Sequence, residues 1–251
     1  MEILKITSAQ NPLIKKFKNF NRRKTPDLIC LDGAHLHTEY LKSSKQALLH
    51  TLVSTKFTNH QEFSLFANLP NLIEIPDSLM ATLSPSKSPA GILSLAATPN
   101  NIITENQKLV VILEDIQDPG NLGTMLRSSL AMNVSEVLLL GDNTDIWSAK
   151  ALRAGMGAQF QLPIQTIEDL SIWKQKFSGT VMATSLSGTS LWQTPLPKNL
   201  ALIFGNEGQG VSQKTIALAD QTLCIPMNAK SESLNVASSL AILTYEWNKQ
   251  R

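Results

Sequence analysis

Five polar residues in three short stretches stand out as able to do chemistry together. They are Asn121 and Arg127 in "DPGNLGTMLRSS", Glu207 in "IFGNEGQGVS", and Ser233 and Asn235 in "CIPMNAKSESLNVASSLAIL". An arginine offers a permanently charged planar fork that grips a phosphate or carboxylate. Glu207 puts one carboxylate into a backbone that Gly205, Gly208 and Gly210 leave open to close approach. Each stretch also has a plainer reading. Asn121 and Ser233 are good N-caps and could serve only their own helices. Arg127 could be a surface arginine lying over core, and Glu207 a solvated acid in a turn. Neither a GxGxxG run nor a Gly-Lys-Ser/Thr ending occurs in these stretches, so a nucleotide-phosphate cradle is poorly supported.

The elements that must position these residues alternate regularly. The apolar strand "LVVILEDI" leads to a helix from Leu122, then the strand "EVLLLG", a helix around "SAKALRAG" and the short strand "QLPI". Thr166 with Asp169 predicts a capping box for a helix ending near Phe177. Strands "TVMATS", "ALIFG" and "TLCIP" follow, with a short helix at residues 212–219 and a long one from about Leu234 to Asn248. Apolar strands alternating with helices predict a mostly parallel α/β sheet covered on both faces. Ligands of such sheets gather beyond the carboxyl ends of the strands, where all three stretches fall.

The region before this reads as a smaller mixed α/β domain. "ITSAQNPLIKKFKNFNRR" predicts a helix with Ser8 as a possible cap and Leu13, Ile14, Phe17 and Phe20 on one face. "PDLICLDG", "ALLHTLVST", "NLIEIP" and "AGILSLAA" are strand-like. The boundaries are a first domain over 1–97, a polar linker over 98–108 and a second domain over 109–251.

Net charge is only +2, but residues 1–60 carry +6 and the remainder −4. A basic end on a near-neutral protein suits an anionic polymer, although a solvated basic face gives the same count. Cys30 and Cys224 sit alone in apolar runs and are expected to be reduced core residues. No Cys/His spacing points to a metal, and His35-x-His37 is too short to claim one. The sequence has neither a signal peptide's pattern nor an apolar run of membrane-spanning length, so a cytoplasmic location is expected.

Taken together, the order and spacing of the stretches resemble the SpoU-type (TrmH family) RNA ribose 2′-O-methyltransferases of the SPOUT superfamily. "NLGTMLRSS" resembles that family's first motif, "LIFGNEGQG" its second and "IPMNAKSESLNVASSLAI" its third. "KALRAGMGAQFQLPI" is also similar to family members, and "ITSAQNPLIKKFKNF", "LDGAHL" and "SPAGILSLA" are similar to the family's RNA-binding extension. Asp32-Gly33 stands where members commonly have Glu-Gly. The resemblance implies a deep trefoil knot in the second domain and S-adenosylmethionine bound in its loops. Gly205, Ile225 and Leu234 would contact that cofactor, with Thr184 and Met227 nearby. It further implies Arg127 at the ribose hydroxyl and adjacent phosphate, with Asn121 orienting Arg127 and the ribose. Glu207 would hold the loops or a partner's arginine, and Ser233 and Asn235 would shape the transfer pocket. An RNA substrate, 23S rRNA ahead of tRNA, and a homodimer are expected on the same basis. Two other readings compete. A non-catalytic RNA-binding ribosome-assembly factor makes no use of the five ordered residues, and a nicotinamide-dependent oxidoreductase lacks its glycine fingerprint.

Overall fold

The computed structural model describes residues 3–20, 27–43, 48–100, 104 and 107–251. Arg22, Arg23, Lys24 and Lys45 of the basic segment, and residues 101–103 and 105–106 of the expected linker, lie outside them. The described residues up to Asn100 form one compact unit together with Trp147–Phe160. The described parts of 101–146 and 161–251 form the other. The segment 147–160 therefore packs with the first unit, across the sequence boundary expected near residue 98.

The elements of the first unit, in chain order, are β1 (Leu4–Lys5), α1 (Pro12–Phe20), β2 (Leu28–Asp32), α2 (Ala34–Ser43), β3 (Leu48–Ser54), α3 (Thr55–Thr58), β4 (Leu72–Ile75), α4 (Asp77–Leu83) and β5 (Ile92–Ala97). Its sheet has the order β1-β4-β3-β5-β2, with β5 antiparallel to both neighbours and the other pairs parallel. Helix α1 begins at Pro12, and Asn11 Oδ1 accepts from Leu13 N at 2.9 Å. Asn11 is thus the cap; Ser8 instead accepts from Gln10 N in the preceding turn at 3.2 Å. The helix buries Ile14 and Phe17 among Leu52, Ile73, Leu93 and Leu95 of the sheet. Among the expected core residues, Cys30 is buried, and burial with Asp32 beside it pushes its thiol pKa up to about 12.

The second unit runs β6 (Leu109–Glu114), α5 (Pro119–Ala131), β7 (Glu136–Leu140), then α6 (Ala149–Gly155) lent to the first unit, β8 (Ile164–Ile167), α7 (Leu170–Lys174), β9 (Thr180–Ser190), β10 (Leu200–Phe204), α8 (Gln213–Leu218), β11 (Gln221–Cys224) and α9 (Val236–Lys249). Its six strands are all parallel, in the order β11-β9-β10-β6-β7-β8. Strands β6 and β10 are buried at every position, which is why they are apolar through most of their length. Val110, Ile112, Val181, Ala201 and Ile203 form one buried cluster. Helices α5 and α9 pack together, and Asn248 Nδ2 donates to Met132 O at 2.8 Å.

Several caps differ from expectation. Asp169 alone caps α7, accepting from Ser171 N at 2.6 Å, while Thr166 lies in β8, so no capping box forms. Helix α9 starts at Val236 with Asn235 as its cap, so Ser233 is not the cap. Cys224 is only half-buried, its Sγ 3.3 Å from Leu186 O, and so is not a core residue. Strand β9 is longer than "TVMATS": its ladder with β11 jumps from Ala183 to Thr189, leaving 184–188 out of register.

Candidate functional site

Helix α5 starts immediately after a tight turn, and Asp118 caps it, accepting from Asn121 N at 2.8 Å. Pro119 occupies the first turn, where its missing N–H costs nothing. The amide of Asn121 is therefore released from capping. Its Nδ2 donates to Glu207 Oε1 at 3.0 Å, and its Oδ1 accepts from Asn235 Nδ2 at 2.9 Å. A carboxylate can only accept, so Glu207 fixes which way the Asn121 amide faces and turns its oxygen toward Asn235. Asn235 in turn uses its own oxygen to cap α9, accepting from Ala237 N at 2.9 Å and Ser238 N at 3.2 Å. One residue from each of the three stretches is thus tied to the next.

Glu207 also accepts from the backbone of the first turn, from Gln117 N at 3.3 Å and Asp118 N at 3.1 Å. Partial burial raises its pKa. Hydrogen bonds from the Asn121 side chain and the backbone amides outweigh this, so its carboxyl lies below the ordinary value. Glu207 is accordingly an anion near neutral pH, and its charge is spent on holding the loops.

The loop that carries Glu207 is fastened at three more points. Asn206 Nδ2 donates to Asp115 O at 3.0 Å, while its Oδ1 accepts from Gly208 N at 2.9 Å and Gln209 N at 3.1 Å. Gly205 is buried at the end of β10, where a Cβ would lie 2.2 Å from the Gly210 carbonyl, so only glycine allows the loop to close. At the far end the buried Glu114 accepts from Ser212 N and Ser212 Oγ, both at 2.8 Å, and from Thr215 Oγ1 at 2.5 Å.

Arg127 lies two turns further along α5, with Thr124 on the same exposed stripe. It makes no hydrogen bond or ion pair among the described residues. Asn121 binds Glu207 and Asn235, with no bond to Arg127 among the described residues. Ser233 is exposed, and its carbonyl accepts from Ser231 Oγ at 3.2 Å.

The remaining residues sit where three neighbouring parallel strands stop pairing. Thr184 follows the last β9–β10 pair and donates from Oγ1 to Ile203 O at 3.0 Å. Gly205 follows β10, and Ile225 and Met227 follow β11. Strands β11, β9 and β10 are adjacent, and these positions follow the carboxyl-terminal ends of their pairing, with Cys224 at the end of β11 opposite Ser190 of β9. Ile225 and Met227 are half-buried, and Leu234 is 37% exposed. The stretch 225–235 belongs to no helix or strand, which leaves backbone groups free of a ladder. Aliphatic walls beside free amides and carbonyls suit an adenine ring, and the lack of a phosphate cradle suits S-adenosylmethionine, which has no phosphate.

The family model described as the SpoU rRNA methylase family matches residues 108–245. The chain belongs to that family. It is an RNA methyltransferase of α/β fold with a parallel sheet. A relative from Bacillus subtilis, the 23S rRNA (guanosine(2553)-2′-O)-methyltransferase RlmP, is 28% identical over 96% of this chain and 97% of its own. A crystal structure of an RNA 2′-O ribose methyltransferase superposes with a TM-score of 0.87 at 29% identity, covering 99% of both chains. The AdoMet-bound rRNA methyltransferase of Sinorhizobium meliloti shares the fold at a TM-score of 0.82 and 24% identity, covering 98% of both chains.

Sequence reasoning missed four supports of this family's loops: Asp118, Asn206, Asp115 and Glu114. One signal was available for Asp118, because a proline at the first helical position marks the residue before it as the cap. Nothing in the sequence distinguishes Glu114, the last residue of an apolar strand, from a solvated acid.

Proposed function

We propose that this protein transfers a methyl group from S-adenosylmethionine to a ribose 2′-hydroxyl of large-subunit ribosomal RNA. The observation that carries the reading is the hydrogen-bonded line Glu207–Asn121–Asn235, which ties three separate loops at the start of the helix that bears the exposed Arg127, a residue with no hydrogen bond or ion pair among the described residues. When bound, S-adenosylmethionine supplies an electrophilic sulfonium methyl group. Thr184, Gly205, Ile225, Met227 and Leu234 would hold it. The attacking hydroxyl must lose its proton as it attacks. The role of base does not fall to a guanidinium. That of Arg127 binds the neighbouring phosphate and stabilises the alkoxide charge as it develops, and the proton leaves to that phosphate or to water. Asn121, Glu207 and Asn235 keep the loops rigid so that hydroxyl and methyl meet in line. Ser233 lines the exposed approach to that site.

Arg127→Ala is expected to bind S-adenosylmethionine normally by calorimetry yet transfer methyl about a hundred- to a thousandfold more slowly. Near-wild-type turnover would remove Arg127 from the mechanism. Failure of the wild-type protein to bind S-adenosylmethionine would favour a non-catalytic assembly factor. Mapping 2′-O-methylated positions in total RNA from a strain lacking the gene identifies the target and separates rRNA from tRNA.

The same reading includes the knot. Strand β11 lies beyond β9, on the side away from β10, although the chain reaches it from β10. It also includes a homodimer. Trp192 is 83% exposed, Tyr245 59% and Ile242 40%, and Trp192 and Ile242 line a cavity of about 610 Å³. A sedimentation mass of two chains at micromolar concentration supports the dimer, and a mass of one chain overturns it. Among the described residues no helix is long and apolar enough to cross a membrane. A cytoplasmic location, with access to ribosomes, belongs to this proposal.

A further inference from the structure

A second cavity, of about 390 Å³, opens in the first unit, among residues that the methyl-transfer site does not use. Its wall is apolar, from Phe57 and Met80. Its rim is polar and exposed, from Lys56, His60, Glu62 and Asp77. The His60 ring lies nearly parallel to Phe57, with centroids 5.9 Å apart and planes 12° apart, and both rings border the cavity. The rim is held in place by the backbone: Asp77 Oδ1 accepts from Lys56 N at 3.2 Å and His60 Nδ1 accepts from Glu62 N at 3.3 Å. The Lys56 ammonium makes no ion pair among the described residues.

The charges on the rim decide what can enter. Two carboxylates against one ammonium would repel a phosphate, so this is no site for the RNA backbone. A nucleobase is different, because it is neutral, flat, and carries donors and acceptors on one edge. Unpaired bases in RNA are recognised by stacking on aromatic rings and by hydrogen bonds to their exposed edges. Guanine fits this rim best. Its N1–H and 2-amino group donate to a carboxylate, and its O6 accepts from an ammonium. The volume is at the low end of ligand sites and has room for one base.

We propose that this cavity takes a single unpaired guanine of the RNA, stacked beside His60 and read by Asp77 or Glu62 together with Lys56. The proposal rests on the RNA-modifying reading above and adds to it a specificity site outside the methyl-transfer loops. It is tested with the full chain and fluorescent single-stranded RNA oligonucleotides that carry guanosine, inosine or uridine at one central position. Guanosine is expected to bind more tightly than inosine, which lacks the 2-amino group, or uridine. Ala81→Trp fills the cavity from its exposed wall and should weaken guanosine binding about tenfold, the scale of one stacked base. Glu62→Gln and Asp77→Asn should each be compared for loss of the guanosine-over-inosine preference, which at least one of them must show. S-adenosylmethionine binding, read by calorimetry on the same samples, should stay at the wild-type value in all three variants. Equal binding of the three oligonucleotides by the wild-type chain, or unchanged guanosine binding by Ala81→Trp, overturns the proposal. Absence of S-adenosylmethionine binding in the wild type sinks the methyl-transfer reading instead, without touching the guanosine comparison.

Discussion

The first unit holds a buried polar network in the middle of its sheet, whereas the second holds its main polar network where β6 and β10 stop. Thr51 and Ser94 face each other on β3 and β5, both fully buried, and their hydroxyls are 2.7 Å apart. His37 completes the group: Nδ1 donates to Gly33 O at 2.8 Å, which leaves Nε2 to accept from Ser94 Oγ at 2.7 Å. In the second unit, Ala201–Phe204 of β10 are apolar and buried, and the polar residues Asn206 and Glu207 begin just past the strand. The same elementary rule produces both patterns, because a buried polar group needs a partner. A closed network spends every donor and acceptor on itself. A network at strand ends shares its hydrogen bonds among loops and keeps an open side, and only that arrangement can receive a ligand.

Glu114 tests how far the second pattern depends on one buried carboxylate. Glu114→Ala leaves Ser212 N, Ser212 Oγ and Thr215 Oγ1 without their acceptor and should cost on the order of 4 kcal/mol, seen as a lower midpoint in urea. A loss below about 1 kcal/mol would mean that water replaces the carboxylate easily and the loop is not anchored there.

The first unit's closed network should respond to acid. Burial lowers the His37 pKa from 6.5 to about 4. The unfolded chain takes up the proton first as pH falls, so His37 favours the folded form fully above pH 6.5 and loses that contribution on the way down to about 4. The loss is about 3 kcal/mol. Hydrogen exchange between pH 7 and pH 4 should show β3 and β5 opening before β6 and β10. Simultaneous opening would erase the contrast between the units. Glu207 has the same sign in a lower window, since its lowered pKa stabilises the tied loops above the ordinary carboxylate range and the tie is lost below it.

The smallest expected effect is at Asn235. Asn235→Ala removes both the α9 cap and the bond to Asn121, and should cost about 1 kcal/mol of stability. Its larger consequence should be functional: methyl transfer drops by more than this modest shift of the urea midpoint accounts for. A double-mutant cycle with Asn121→Ala measures the coupling directly, and a value of zero would show that the 2.9 Å contact does not link the two loops.

Much of the second unit was legible in its sequence. Its strands are runs of Val, Ile and Leu, which periodicity and composition report directly, and the three motif stretches were placed correctly at strand ends. The first unit was less so. Helices α2 and α4 escaped the sequence reading. In α2 the buried residues are Leu36, His37 and Tyr40, and a pattern that counts only apolar side chains sees too few of them. His37 is a core residue only because Gly33 O, Ser94 and Thr51 are brought around it from other strands and turns. Caps were misplaced for a related reason. Ser8, Thr166 and Ser233 have the right chemistry, but Asn11, Asp169 and Asn235 lie nearby and won.

The sequence by itself determined which residue types stand after which strands, and so the kind of chemistry available: one arginine, one loop carboxylate, two asparagines and aliphatic walls. Only the tertiary structure decided which of these are spent on each other. The hydrogen-bond partners of the Asn121 side chain lie 86 and 114 residues away, and no local rule could assign them. An amide has several possible partners of nearly equal strength, so its choice is made by which loops the packed sheet brings within reach.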